Sequence, residues 1–185
     1  MNTSPVRVAA LMSSTQLGPC GRAMAAWLAD RAGGRGDIAL DLIDLAEARL
    51  PDARPAETGE RPAAVADLAP WLASADAFVL ILAECNRGLP ASLKNTLDWY
   101  RREWAAKPVA FVSHDATTGG LLAVEQLRLV LAGLEALTLR DGVSLHTPGP
   151  DFASASATAD AMLDRLVCWG RALRLARTAA TTSER

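Results

Sequence analysis

No stretch of this chain approaches the roughly 18 consecutive apolar residues that span a membrane, although half of its 185 residues are apolar. Basic residues are not in excess either. The formal net charge is -2, whereas nucleic-acid binders carry a clear surplus of Lys and Arg. The three cysteines, Cys20, Cys85 and Cys168, are odd in number and form no CxxC pair, which argues against a disulfide framework. The first loop, LMSSTQ, lacks the Gly-Lys-Ser/Thr of a Walker-type ATP site. It also lacks the carboxylate cluster that an acidic receiver domain places after its first strand. The opening segment MNTSPVRVAALMSS holds an apolar run too short and too poorly flanked for a secretory signal. The expectation is a soluble, cytoplasmic, single-domain protein that binds neither nucleic acid nor membrane.

What is present is an alternation of short apolar runs with helical patterns. Val6 to Met12, Ile38 to Leu45, Phe78 to Ala83 and Val109 to Ser113 read as strands. Leu137 to His146 reads as a last strand, broken at Asp141-Gly142. Between them Arg22 to Ala32, Ala63 to Ala75, Ala91 to Trp104 and Gly119 to Gly133 carry helical spacing, and Ala157 to Arg177 forms a long final helix. Ser13 to Gly21, Ala46 to Pro62 and TPGPDFASAS read as loops, and residues 179–185 as a disordered tail after a single domain of residues 1–178. Strands alternating with helices predict a five-stranded parallel sheet with helices on both faces, in the order 2-1-3-4-5. Such a sheet places its ligand at the carboxyl ends of strands one, three and four.

The segment FVLILAECNRGLPASLKNTLDWY turns from five apolar residues to Glu84, Cys85, Asn86 and Arg87 at that edge. Its AECNRGLPASLKNTLDW part resembles the flavin-contacting motif of the NADPH-dependent FMN reductase family, which usually reads Pro-Glu-Tyr-Asn, Pro, Leu-Lys-Asn, Asp-Trp. The likeness continues through IDLAEARLP, KPVAFVS and GGLLAVEQLRLVLAGL. It implies a flavodoxin-like fold and noncovalent FMN. It also implies NADPH or NADH as electron donor, and hydride transfer through FMN to a flavin, quinone or other small acceptor. The loop holding Ser13, Ser14, Gln16 and Gly21 would take the phosphate. Glu84, Cys85, Asn86 and Arg87 would lie along the ring system, with Ser113, His114 and Asp115 on its other side. The sequence departs from the pattern in all three loops. Gln16 stands where the family tends to have Arg, Cys85 where it has Tyr, and His114-Asp115-Ala116 where it has Tyr-Gly-Gly. Gln16 implies a weaker phosphate contact than an Arg would make.

Two other readings stay open. Cys85 and His114 on neighbouring strands would form an activated thiol in a flavin-free enzyme, and Cys20 beside them would suggest a thiolate and imidazole metal site. A binding protein that lost its cofactor is the other. Ser14, Thr15 and Gln16 would hold a phosphate or cap the first helix. Gly119-Gly120 would open ligand access or start a helix. Lys94, Asn95 and Asp98 are read as structural, Cys168 as packed, and Trp27, Trp71, Trp99, Trp104 and Trp169 as core or subunit contacts. The resemblance implies a homodimer or homotetramer, with Tyr100 and Trp104 expected to be poorly buried in one subunit.

Overall fold

In the computed structural model, residues 4–13, 18–52, 61–146 and 151–183 are described. The element order is β1 Val6–Met12, α1 Gly18–Gly33, β2 Ile38–Asp44, α2 Leu45–Ala48, α3 Ala63–Ser74 and β3 Ala77–Ala83. It continues with α4 Ala91–Trp99, β4 Pro108–His114, α5 Leu121–Ala132, β5 Leu137–Thr138, β6 Val143–Leu145 and α6 Phe152–Ser183. All pairings between these strands are parallel. The sheet runs β2-β1-β3-β4-β5, with β6 also on β4. The expected order therefore holds.

Alternation explains the two layers. Val6, Val8 and Ala10 of β1 face one cluster with Met24, Leu28, Leu163 and Leu166 of α1 and α6. Ala9 and Leu11 face the other, with Val65, Leu72, Leu97 and Leu127 of α3, α4 and α5. A strand covered on both faces must be apolar at nearly every position, and β3 (AFVLILA) is. Edge strand β2 is only partly buried, as its alternating sequence predicts.

Several boundaries moved. The last strand is two short ones, because Gly142 passes Phe111 so closely that a Cβ there would lie 2.9 Å from the Phe111 carbonyl oxygen. Arg128 clamps this break, donating to the Leu139 and Arg140 carbonyls at 2.6 and 2.9 Å. Helix α1 starts at Gly18, inside the expected loop; Pro19 is tolerated in a first turn, where an N–H has no helical acceptor. One turn of helix, α2, occupies the start of the loop expected from Ala46, with Asp44 accepting from the Ala46 N–H at 2.9 Å.

Helix α6 begins at Phe152, inside the expected loop, and runs to Ser183 through residues expected to form a disordered tail. Asp151 accepts from the Ser154 N–H at its start (3.1 Å), and Phe152 stacks on Trp27 at 5.1 Å between ring centres.

Helix α4 stops at Trp99, five residues early, and the chain turns inward. Tyr100 and Trp104 are then fully buried, contrary to the expected exposure. The Tyr100 hydroxyl donates to the Val65 carbonyl at 2.9 Å, and Trp104 packs on Phe78 at 4.4 Å. Trp71 and Trp169 are half-exposed, and Cys168 is exposed rather than packed. Asn95 Nδ2 and Trp99 Nε1 both donate to the Pro51 carbonyl, at 2.8 and 3.0 Å, and Lys94 pairs with Asp98 at 2.7 Å. These are the structural roles expected on this helix.

Candidate active site

The loops after β3 and β4 meet at the carboxyl edge. The first is a two-residue turn: Cys85 and Gly88 exchange both backbone hydrogen bonds, at 3.0 and 2.8 Å. Asn86 and Arg87 form its tip with φ of 47° and 64°. Such mirror-image turns demand positive φ at both central residues. Asn tolerates the first position; the second normally belongs to Gly.

Gln126 of α5 holds this turn in place. Its Nε2 donates to the Arg87 carbonyl at 3.0 Å, and its Oε1 accepts from the Leu89 N–H at 3.2 Å.

The two expected carboxylates turn toward the protein. Glu84 Oε2 accepts from the Thr118 hydroxyl at 2.6 Å and from the Leu122 N–H at 3.2 Å, in the first turn of α5. The helix N-terminus favours an anion there. Asp115 Oδ1 accepts from the Thr118 and Thr117 N–H groups at 2.8 and 2.7 Å. Those bonds, Thr118 first, hold the Asp115 carboxyl below its usual range.

The two serines are also engaged. Buried Ser13 donates to the Ile81 carbonyl at 3.3 Å. Buried Ser113 donates to the Gly119 carbonyl at 2.7 Å, which Ser144 also reaches at 3.0 Å. Gly119 and Gly120 have φ of 63° and 84°. A Cβ on Gly120 would lie 2.8 Å from the His114 nitrogen, so these glycines shape the loop and start α5. Gly21 lies buried within α1. Ser14, Thr15 and Gln16 lie outside the described residues.

His114 is different. It ends β4 opposite Ala83 of β3, and both of its ring nitrogens are buried with no hydrogen-bond partner among the described residues. Unpaired buried polar atoms are uncommon in native proteins and point to a missing partner. The expected thiol–imidazole pair is not formed, because His114 accepts no bond from Cys85. Burial pushes the thiols of Cys85 and Cys20 up, opposite to the depressed pKa of an activated cysteine. No group of three or more His, Cys, Asp or Glu suited to a metal occurs among the described residues, so the alternative site with Cys20 is not assembled there.

Sequence reasoning passed over Thr118 and Gln126 as individual residues. Gln126 lies in GGLLAVEQLRLVLAGL, but helical spacing alone does not mark it. Exposed Leu121 and Leu122 add an apolar rim beside Glu84. A separate groove of about 480 Å³ between β2 and α3, lined by Leu42, Asp67 and Trp71 among others, is set apart from this crevice by β1.

A doubly wound parallel sheet with a crevice at its switch point is a flavodoxin-like architecture. Within that class, residues 6–148 match the NADPH-dependent FMN reductase family, more than three quarters of the chain, and the chain belongs to it. A Schizosaccharomyces pombe NAD(P)H-dependent FMN reductase is 45% identical over 49 residues, 26% of this chain and 24% of that protein. An Escherichia coli quinone reductase is 33% identical over 103 residues, 53% of this chain and 55% of that protein. The chain thus spans about a quarter to about half of the length of these two relatives. Among solved structures, FerB of Paracoccus denitrificans, a flavoenzyme NAD(P)H:(acceptor) oxidoreductase, has a TM-score of 0.75 at 22% identity. It covers 90% of this chain and 97% of that one. An oxidoreductase of Corynebacterium diphtheriae has a TM-score of 0.69 at 12% identity, covering 90% and 97%. Both likenesses are of fold.

Proposed function

We propose that the protein is an FMN-dependent NAD(P)H oxidoreductase acting on a quinone, a free flavin or another small acceptor. The observation that carries this reading is that the family match runs from residue 6 to residue 148. It thus crosses all three connections that meet at the carboxyl edge: β1–α1, β3–α4 and β4–α5.

The residues present fit the group. Helix α1 directs its N-terminus toward the carboxyl end of β1, where a phosphate dianion is favoured. No described residue accepts from the Asn86 or Arg87 N–H, leaving two donors at the turn tip for a polar ring edge. Glu84 and Asp115 keep their charge, but Thr118 and backbone N–H groups hold both side chains to the loop and to the start of α5.

Bound FMN supplies the redox chemistry: a hydride from NAD(P)H in, and two electrons with protons from water out to the acceptor. This chain binds, orients and screens. The turn at Asn86-Arg87 and the glycine loop at Gly119-Gly120 would hold the ring between them, and α5 anchors both through Gln126 and Glu84. No side-chain acid is needed for the transfer.

The test is direct. The purified protein should be yellow, and heat should release FMN. A colourless protein that leaves FMN fluorescence unchanged on titration would refute the reading. The homodimer or homotetramer and the cytoplasmic location belong to the same proposal. With Tyr100 and Trp104 buried, an oligomer rests on the resemblance and on the exposed pair Leu121-Leu122. Sedimentation showing only monomer at micromolar concentration would refute it.

A further inference from the structure

We propose that Arg87 reads an anionic group on a substrate entering this crevice. The group is either the 2′-phosphate of NADPH or a carboxylate or sulfonate on the acceptor. The inference rests on the FMN oxidoreductase reading and names the chemistry its second ligand carries.

Three observations converge. Arg87 occupies the second tip position of the β3–α4 turn with φ of 64°, where Gly is the residue that fits without strain. Arg49, Ala106 and Glu135 also have positive φ; what is particular to Arg87 is that this conformation starts its side chain from the tip of a turn at the sheet's carboxyl edge. The strained turn is held firmly: Gln126 bonds the Arg87 carbonyl and the Leu89 N–H, and Cys85 and Gly88 close the loop. The guanidinium is thereby carried on a fixed base rather than a wandering loop.

The side chain is also unspent. Arg87 is exposed and joins no ion pair among the described residues. Arg22, Arg49, Arg101, Arg102 and Arg140 likewise join no ion pair among the described residues; Arg87 is the one carried at the tip of the turn after β3. Glu84 and Asp115, on the two loops of this edge, form no ion pair with it; their bonds go to Thr118 and backbone N–H groups. A planar guanidinium presents paired donors suited to phosphate, carboxylate or sulfonate.

The experiment compares selectivity ratios in steady-state kinetics of the FMN-loaded enzyme. The donors are NADPH and NADH; the acceptors are 1,4-benzoquinone and a sulfonated naphthoquinone. In Arg87→Gln one anionic partner should lose about fivefold to tenfold in kcat/KM relative to its neutral counterpart, mainly through KM. Arg87→Lys should recover part of the ratio. A fall in the NADPH/NADH ratio assigns the dinucleotide phosphate; a fall in the sulfonate/neutral ratio assigns the acceptor. Unchanged ratios with FMN bound overturn the inference alone. A wild-type protein without FMN overturns the parent reading and this inference with it.

Discussion

The two edges of the sheet are built from different materials. At the amino edge charged side chains meet each other directly. Asp76 is nearly buried and accepts from Arg174 and Arg177 at 3.0 and 3.2 Å and from the Arg7 N–H at 3.1 Å. Buried Lys107 donates to the Leu72 and Ala73 carbonyls at 2.8 and 2.9 Å, capping α3. Gly170 lets α6 lie against β1, where a Cβ would meet Val6 at 2.8 Å. At the carboxyl edge, polar groups are spent on shaping loops: Glu84 and Asp115 bond Thr118 and backbone N–H groups, and Gln126 bonds the turn after β3. One edge is held by ion pairs between distant elements; the other is held by hydrogen bonds that shape its loops. That division suits a protein whose amino edge provides stability and whose carboxyl edge binds.

The sharpest way to break the comparison is at Asp76. Asp76→Ala leaves two arginines beside Lys107 without their shared carboxylate. The expected loss is about 3 kcal/mol, or roughly 8 °C in Tm, read by thermal unfolding. FMN affinity should hold, because the site lies at the opposite edge. An unchanged Tm would show that the cluster contributes nothing.

Lys107 gives the next effect, a pH dependence. Burial, with Arg177 nearby, pushes its ammonium pKa down from 10.5 to about 8, against the opposing pull of Asp76 and Glu103. Between those values the unfolded chain holds a proton that the folded chain has released. Stability therefore rises with pH from about 8 to 10.5. Urea midpoints across that window should climb more in the wild type than in Lys107→Met. Identical slopes would mean that Lys107 stays protonated in the fold.

The smallest effect is expected at the carboxyl edge itself. Cys85→Ala should leave oxidoreductase turnover within a few fold, because the cofactor carries the chemistry. Loss of turnover in both Cys85→Ala and His114→Ala, with FMN still bound, would revive a thiol mechanism despite the absent hydrogen bond.

The sheet order was legible in the sequence because strands buried on both faces must be continuously apolar, and alternation with helices leaves few connections. The location of Glu84 to Arg87 at the binding edge was legible for the same reason. Side-chain direction was not. Glu84 sits where the family motif has its carboxylate, yet its bonds go to Thr118 and α5, because a helix N-terminus was within reach. Asp115 reads as a new charge facing a ligand, but two backbone N–H groups claim it. Tyr100 and Trp104 follow an amphipathic helix in sequence and still end in the core, since the chain turns inward one residue after Trp99.

The sequence by itself determined which segments become strands, their order, and the edge at which polar chemistry collects, because burial acts on runs of residues. Only the tertiary structure decided which polar groups at that edge are used up and which remain. Two of the hydrogen bonds there join residues far apart in sequence that helical or strand periodicity does not relate: Glu84 to Thr118, and Arg87 to Gln126. What those bonds leave over, the His114 nitrogens and the Arg87 guanidinium, could be identified only after the partners of every neighbour were in place.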